Sequence, residues 1–160
     1  MGVSYSYVNH DKRQYFTCGL FTGDRFSSIG YGHSARALAI LLSERGDWRG
    51  NRVSVIGDTS DEFAVLQRNG LNVVVDVVLM LIEIDGLDWI EAELDNCTDA
   101  FMLLCNLALH LRRPDVLRLL DKKLGAGKWQ RAYDNHVKGN TDLWLQKVIE
   151  ARDRGLRLLV

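Results

Sequence analysis

Along the first twenty residues the apolar pattern has a period of two. Residues 3–10 alternate tyrosines with small or β-branched side chains, residues 14–20 do the same, and the polar tetrad His10-Asp11-Lys12-Arg13 separates them. This predicts a β-hairpin with a four-residue loop, in which His10 is the first loop residue. Residues 25–29 are expected to extend the sheet after a turn at Thr22-Gly23-Asp24. The period then lengthens. Ala35, Leu38, Ala39, Leu41 and Leu42 share one helical face, with Ser34 placed as N-cap and Gly46 as the stop. Asp47-Trp48-Arg49-Gly50 turns into residues 52–57, whose apolar density predicts a buried strand.

Beyond residue 58 the pattern is helical. Thr59 or Ser60 caps a helix through Phe63 and Leu66 that closes at Asn69-Gly70. Residues 73–84 are rich in β-branched side chains, yet their length and the spacing of Asp76 and Glu83 favour a buried helix over a strand. Further helices are predicted over 87–94, 99–111, 115–124 with Pro114 at the first helical position, 128–137 and 141–159. Gly125-Ala126-Gly127 interrupts them, and no fixed-period repeat is present. The predicted class is α+β: a small N-terminal antiparallel sheet packed on a mainly α-helical remainder. Residues 1–160 form a single domain, with the sheet and one helix in 1–58 and helices in 59–160.

Composition narrows the class without changing it. At 160 residues, 47% hydrophobic and 26% charged, with one proline, the chain is long enough to bury a core and is not of a disordered type. No basic segment followed by an apolar run opens it, so no secretory signal is expected. Gly2 followed by Ser6 fits a myristoylation pattern, but the same residues open the first strand. The longest apolar run, residues 77–82, lies between Asp76 and Glu83 and is too short for a bilayer. Cys18, Cys97 and Cys105 form no C-x-x-C pair, and reduced thiols in a cytoplasmic protein are the expectation.

Charge adds something new. Residues 51–100 hold eleven acids against two bases, residues 101–160 twelve bases against six acids, and the first fifty residues six bases against four acids, within a net charge of −1. One-signed charge on a small protein steers an oppositely charged partner toward it.

The candidate chemistry is thinner. Gly30-Tyr31-Gly32-His33-Ser34-Ala35 fits G-x-G-x-x-A before a helix, and the next strand ends in Asp58, as in a dinucleotide-binding unit. The segment before it is too polar for a central parallel strand, and no later βα units follow, so the plainer reading is a pair of turn glycines. Gly125-Ala126-Gly127-Lys128-Trp129 fails as a phosphate-binding loop, because position 122 is lysine and tryptophan follows Lys128. His10, His33, His110 and His136 have no metal-site spacing to one another or to a cysteine, and no histidine has a context marking it as an activating base. No catalytic residue, cofactor or metal site is therefore expected. The basic C-terminal third is interleaved with acids and lacks a single-strand reader's signature, so nucleic acid is not expected as a partner.

Two resemblances bear on function. The opening Gly2-Val3-Ser4-Tyr5 … Val8-Asn9-His10-Asp11-Lys12, with Trp48-Arg49-Gly50-Asn51-Arg52-Val53-Ser54-Val55-Ile56-Gly57-Asp58, resembles a family of small bacterial proteins carrying G-x-S-Y-x-x-V-N-H-x-K and W-x-G-x-R-V-x-V-I-G-D. That family has no established catalytic activity. By type, in size, acidic bias and lack of a catalytic signature, the chain is similar to immunity proteins of contact-dependent growth inhibition toxin systems. The second resemblance implies a cytoplasmic protein that binds and neutralises the C-terminal domain of a cognate toxin, commonly a nuclease with a basic cleft. The expected partner-binding residues are Asp58, Asp61, Glu62, Asp85, Asp88, Trp89, Glu91, Glu93 and Asp95. The alternative is a nucleotide-binding enzyme using Gly30, Gly32 and Asp58.

Overall fold

The structure, a computed structural model, describes residues 2–22 and 26–160. It is α+β, with a four-stranded sheet among the first 72 residues and helices dominating the remainder. The chain divides into two compact units, one of Met1–Ile84 with Leu156–Val160, the other of Asp85–Gly155. No helix among the described residues is long and apolar enough to cross a membrane.

In the first unit, strands β1 (Tyr5–Asn9) and β2 (Gln14–Thr17) form the predicted hairpin. Asn9 faces Gln14 across the four-residue loop. The period of two sorts the side chains. Tyr7 and Phe16 pair on one face, where Phe16 meets Trp48 at 5.5 Å between ring centroids, and all three rings are buried. The indole N–H of Trp48 donates to the Gln14 side-chain oxygen at 2.7 Å, which satisfies both buried groups. Val8 and Tyr15 pair on the opposite face and meet Ile56, Phe63 and Leu66 in a second apolar cluster.

Two predicted features of this unit are corrected. A 3₁₀ turn, Phe26–Ser28, stands where a third strand was expected; its two serines supply no apolar alternation, and Phe26 is exposed apart from an edge contact with Tyr5. Gly23 and Asp24 of the expected turn lie outside the described residues. The segment predicted as a buried strand is β3 (Val53–Gly57), which pairs antiparallel with β1 at the sheet edge and buries only Ile56. The apolar density of residues 52–57 carries no information about which neighbour the strand takes.

Helix α1 (Gly32–Leu42) starts two residues before the expected cap. Ser34 lies inside it, buried, and accepts the Leu20 backbone N–H at 3.1 Å. Helix α2 (Asp61–Asn69) is capped by Ser60, whose hydroxyl accepts the Phe63 N–H at 3.1 Å. Strand β4 (Leu71–Asn72) then pairs parallel with β2, so the sheet runs β3-β1-β2-β4 and is mixed rather than wholly antiparallel. Helix α3 (Val74–Asp85) bears out the helical reading of the β-branched run, with eight of its twelve residues buried. Residues 156–160 complete the unit: Leu158 accepts from Asp47, Val160 donates to Arg45, and Leu159 bridges Gly46.

The second unit holds α4 (Asp88–Glu91), α5 (Thr98–His110), α6 (Pro114–Leu124), α7 (Lys128–Val137) and α8 (Leu145–Arg154). Helix α5 is buried from Met102 through Ala108 and touches α6, α7 and α8, as a helix apolar on all sides must. Pro114 occupies the first turn of α6, where its missing N–H costs no hydrogen bond.

Candidate functional site

The hairpin loop is fastened residue by residue to the segment between Asp47 and Ser54. Asn9 donates to Asn51 at 2.8 Å and accepts the Lys12 N–H at 3.0 Å. The His10 N–H donates to the Arg52 carbonyl at 2.9 Å, Asp11 accepts the Arg52 N–H at 2.8 Å, and Lys12 lies 2.6 Å from Asp47. The Arg52 backbone N–H, with its guanidinium and His10 adding to it, holds the Asp11 carboxyl below its usual range. The two halves of the pattern behind the family resemblance are thus the two sides of one set of contacts. These contacts dock β3 on the hairpin.

His10 does more than turn the chain. Its Nε2 lies 2.6 Å from the Ser54 hydroxyl, and its Nδ1 lies 3.4 Å from the Glu62 carboxylate. The His10 side chain is 25% exposed and that of Glu62 63%, so the imidazole is half-sheltered and the acid is at the rim. Strand β1 places His10, β3 places Ser54 and the first turn of α2 places Glu62. Beside them is a cleft of about 210 Å³ with walls from Val8, Ile56, Val65 and Leu66, and with His10, Arg13, Glu62 and Asn69 at its edge. Val8 and Ser54 are register partners, so Ser54 shares the cleft's face of the sheet. Sequence reading missed this grouping because Ser54 is 44 residues from His10 and no local spacing links them.

Gly30 and Gly32 have φ of 84° and 71°, in the left-handed region that favours glycine, and they steer the chain into α1. The Gly30 N–H donates to the Tyr7 hydroxyl at 2.9 Å, while burial, more than any other influence, pushes that phenol up. The element before them is the 3₁₀ turn, not the parallel strand that a dinucleotide unit uses. Asp58 accepts the Ser4 N–H at 3.3 Å and returns its own N–H to the Ser4 carbonyl at 2.8 Å, closing the β1–β3 end.

The nine expected partner-binding residues fall into two sets. Asp58, Asp61 and Glu62 belong to the first unit, and Asp85, Asp88, Trp89, Glu91, Glu93 and Asp95 to the second. The acids of residues 58–99 are not uniformly available. Asp76 is buried in α3, and Glu83 is held by both guanidinium nitrogens of Arg157 at 2.8 and 3.2 Å. Asp95 lies 3.5 Å from Lys123, which also donates to the Glu91 carbonyl. What persists is local: residues 85–99 contain six acids and no lysine or arginine. Asp88, Asp95 and Asp99 are exposed there, Asp85, Glu91 and Glu93 half-buried, and Trp89 is half-buried on α4.

The thiols are separated. Cys18 and Cys105 are buried, and burial, reinforced by Asp142, pushes Cys105 up to about 12. Cys97 immediately precedes α5 and lines a polar cavity of about 430 Å³ with His136 and Asp95. Among the described residues no three histidine, cysteine, aspartate or glutamate side chains are grouped as metal ligands. Comparison with family models, with curated proteins and with solved structures finds no match.

Proposed function

We propose that this chain is an immunity protein, which neutralises a cognate bacterial toxin domain by binding it one to one. The reading is carried by one observation: the stretch from Asp85, at the end of α3, through α4 to Asp99, in the first turn of α5, holds six carboxylates and no lysine or arginine, and Asp88, Asp95 and Asp99 in it are exposed. Such a segment suits a basic protein surface, the character of a nuclease cleft that contacts phosphates. In this reading Asp88, Glu91 and Asp95 speed encounter and set register. Trp89, an amphipathic ring at half burial, supplies the apolar anchor.

The test uses the purified full chain and the C-terminal domain of the toxin encoded by the neighbouring upstream gene. A one-to-one complex is expected, with association slowed about tenfold at low salt by the pair Asp88→Lys and Glu91→Lys, and less at high salt. Trp89→Ala should accelerate dissociation. Equal association rates for wild type and the charge-reversed pair would remove this segment from the mechanism. Titration with NAD and ATP separates this reading from nucleotide binding at Gly30, Gly32 and Asp58, since the immunity reading requires that neither binds.

A further inference from the structure

The strongest arrangement outside the acidic stretch is the one at the hairpin tip. We propose that Ser54 is a nucleophile activated by His10, and that the adjoining cleft accepts the acyl group of a small ester. This is separate from toxin binding and stands or falls without it.

The geometry has the parts acyl transfer needs: a hydroxyl in hydrogen-bond reach of a base, and the base oriented by a third group. Ser54 Oγ and His10 Nε2 are 2.6 Å apart, and Glu62 faces the other ring nitrogen at 3.4 Å. With the Nδ1 proton directed to Glu62, the Nε2 lone pair is left for the serine proton. His10 cannot drift far, because its backbone N–H is held by the Arg52 carbonyl and its neighbour Asp11 is held by Arg52. Ser54 projects to the side of the sheet that carries Val8 and Ile56, two of the cleft's apolar walls. The cleft, at about 210 Å³, is below the roughly 300–1,000 Å³ of pockets for drug-sized ligands, so it suits a short aliphatic or benzoyl-sized acyl group. Arg13 lines the same cleft, so the space the acyl group would enter has a cation in its wall.

In the step itself, Ser54 Oγ attacks the carbonyl carbon while its proton passes to His10 Nε2. The bond between that carbon and the leaving alkoxy oxygen breaks, and the departing alcohol takes the proton from Nε2. The product is an ester of Ser54 with a neutral imidazole. Water activated by the same imidazole then cleaves that ester, giving a carboxylic acid and restoring the hydroxyl. Glu62 acts through His10 and is a positioning residue.

The experiment incubates the folded full chain with p-nitrophenyl acetate, follows nitrophenolate release, and maps the adduct by mass spectrometry. One acetyl group per chain on Ser54 is expected. Ser54→Ala should abolish that adduct, and His10→Gln should slow it by roughly 100-fold or more. Glu62→Gln should retain the site of modification but displace the pH profile of its formation, which a merely structural role would leave in place. Should His10→Gln fail to fold, His10→Asn takes its place, with the same slowing of the Ser54 adduct expected. Acetylation only at lysine or tyrosine, or an equal rate at Ser54 in a folded His10→Gln variant, would overturn the proposal.

Discussion

Asp142 collects donors from three directions. The Tyr133 hydroxyl reaches it at 2.5 Å, the Asn106 amide at 3.0 Å, and the backbone N–H groups of Trp144 and Leu145 at 3.0 and 3.2 Å. Burial alone would raise this carboxyl, but the four donors together outweigh it and hold the group below its usual range. Burial first, and the facing carboxylate next, push the Tyr133 phenol up. Because the folded form holds Asp142 lower than the unfolded chain does, its contribution is complete above the ordinary carboxylate range and is lost as pH falls through the folded value. Urea melts between pH 7 and pH 2 should therefore show a shallower acid loss for Asp142→Asn than for wild type, from a lower starting stability. Tyr133→Phe removes one donor and leaves both acceptors in place, at an expected cost of about 1–3 kcal/mol. An acid limb as steep in Asp142→Asn as in wild type would show that this carboxylate is not among those that drive acid unfolding.

At the scale of elements, local chemistry and long-range pairing part company. The hairpin was legible because its alternation and its polar tetrad are contiguous, and α2 because Ser60 caps it in sequence as in space. Ser60→Ala should cost about 1 kcal/mol, read as a lower urea midpoint with unchanged slope. The helical reading of α3 succeeded through length, since twelve residues exceed an ordinary strand. Strand β4 was not legible: two residues whose partners belong to β2, across the whole of α2, have no period to detect. The edge position of β3 was hidden for the same reason. Counting charges along the chain overstated the acidic surface, because the tally cannot see Arg157 on Glu83, Lys123 beside Asp95, or the burial of Asp76. The trio of His10, Ser54 and Glu62 escaped because three separate elements deliver it.

The whole molecule is organised by a detour. The chain leaves its first unit at Ile84, builds the helical unit, and returns at Leu156. The returning residues are not ornamental: Leu158 and Leu159 are buried, and the Leu158 carbonyl accepts the Asp47 N–H at 2.9 Å. Gly46, opposite Leu159, has no room for a side chain, since an added Cβ would lie 2.0 Å from the Leu41 carbonyl oxygen. Removing residues 156–160 should destabilise the first unit by about 3–6 kcal/mol, from two leucines at roughly 1.5–3 kcal/mol each. Hydrogen exchange at the Asp47 amide reports this directly. Undiminished protection there after truncation would mean that the tail only rests on the surface.

This connectivity also bears on synthesis. While the ribosome still encloses residues 156–160, the sheet unit lacks the strand-like segment that covers residues 45–47, although everything else in it was translated far earlier. The N-terminal half must therefore wait, with its apolar faces incompletely sealed, until residues 156–160 have been made and have emerged, whereas the inserted helices, contiguous in the chain, can pack as soon as they emerge.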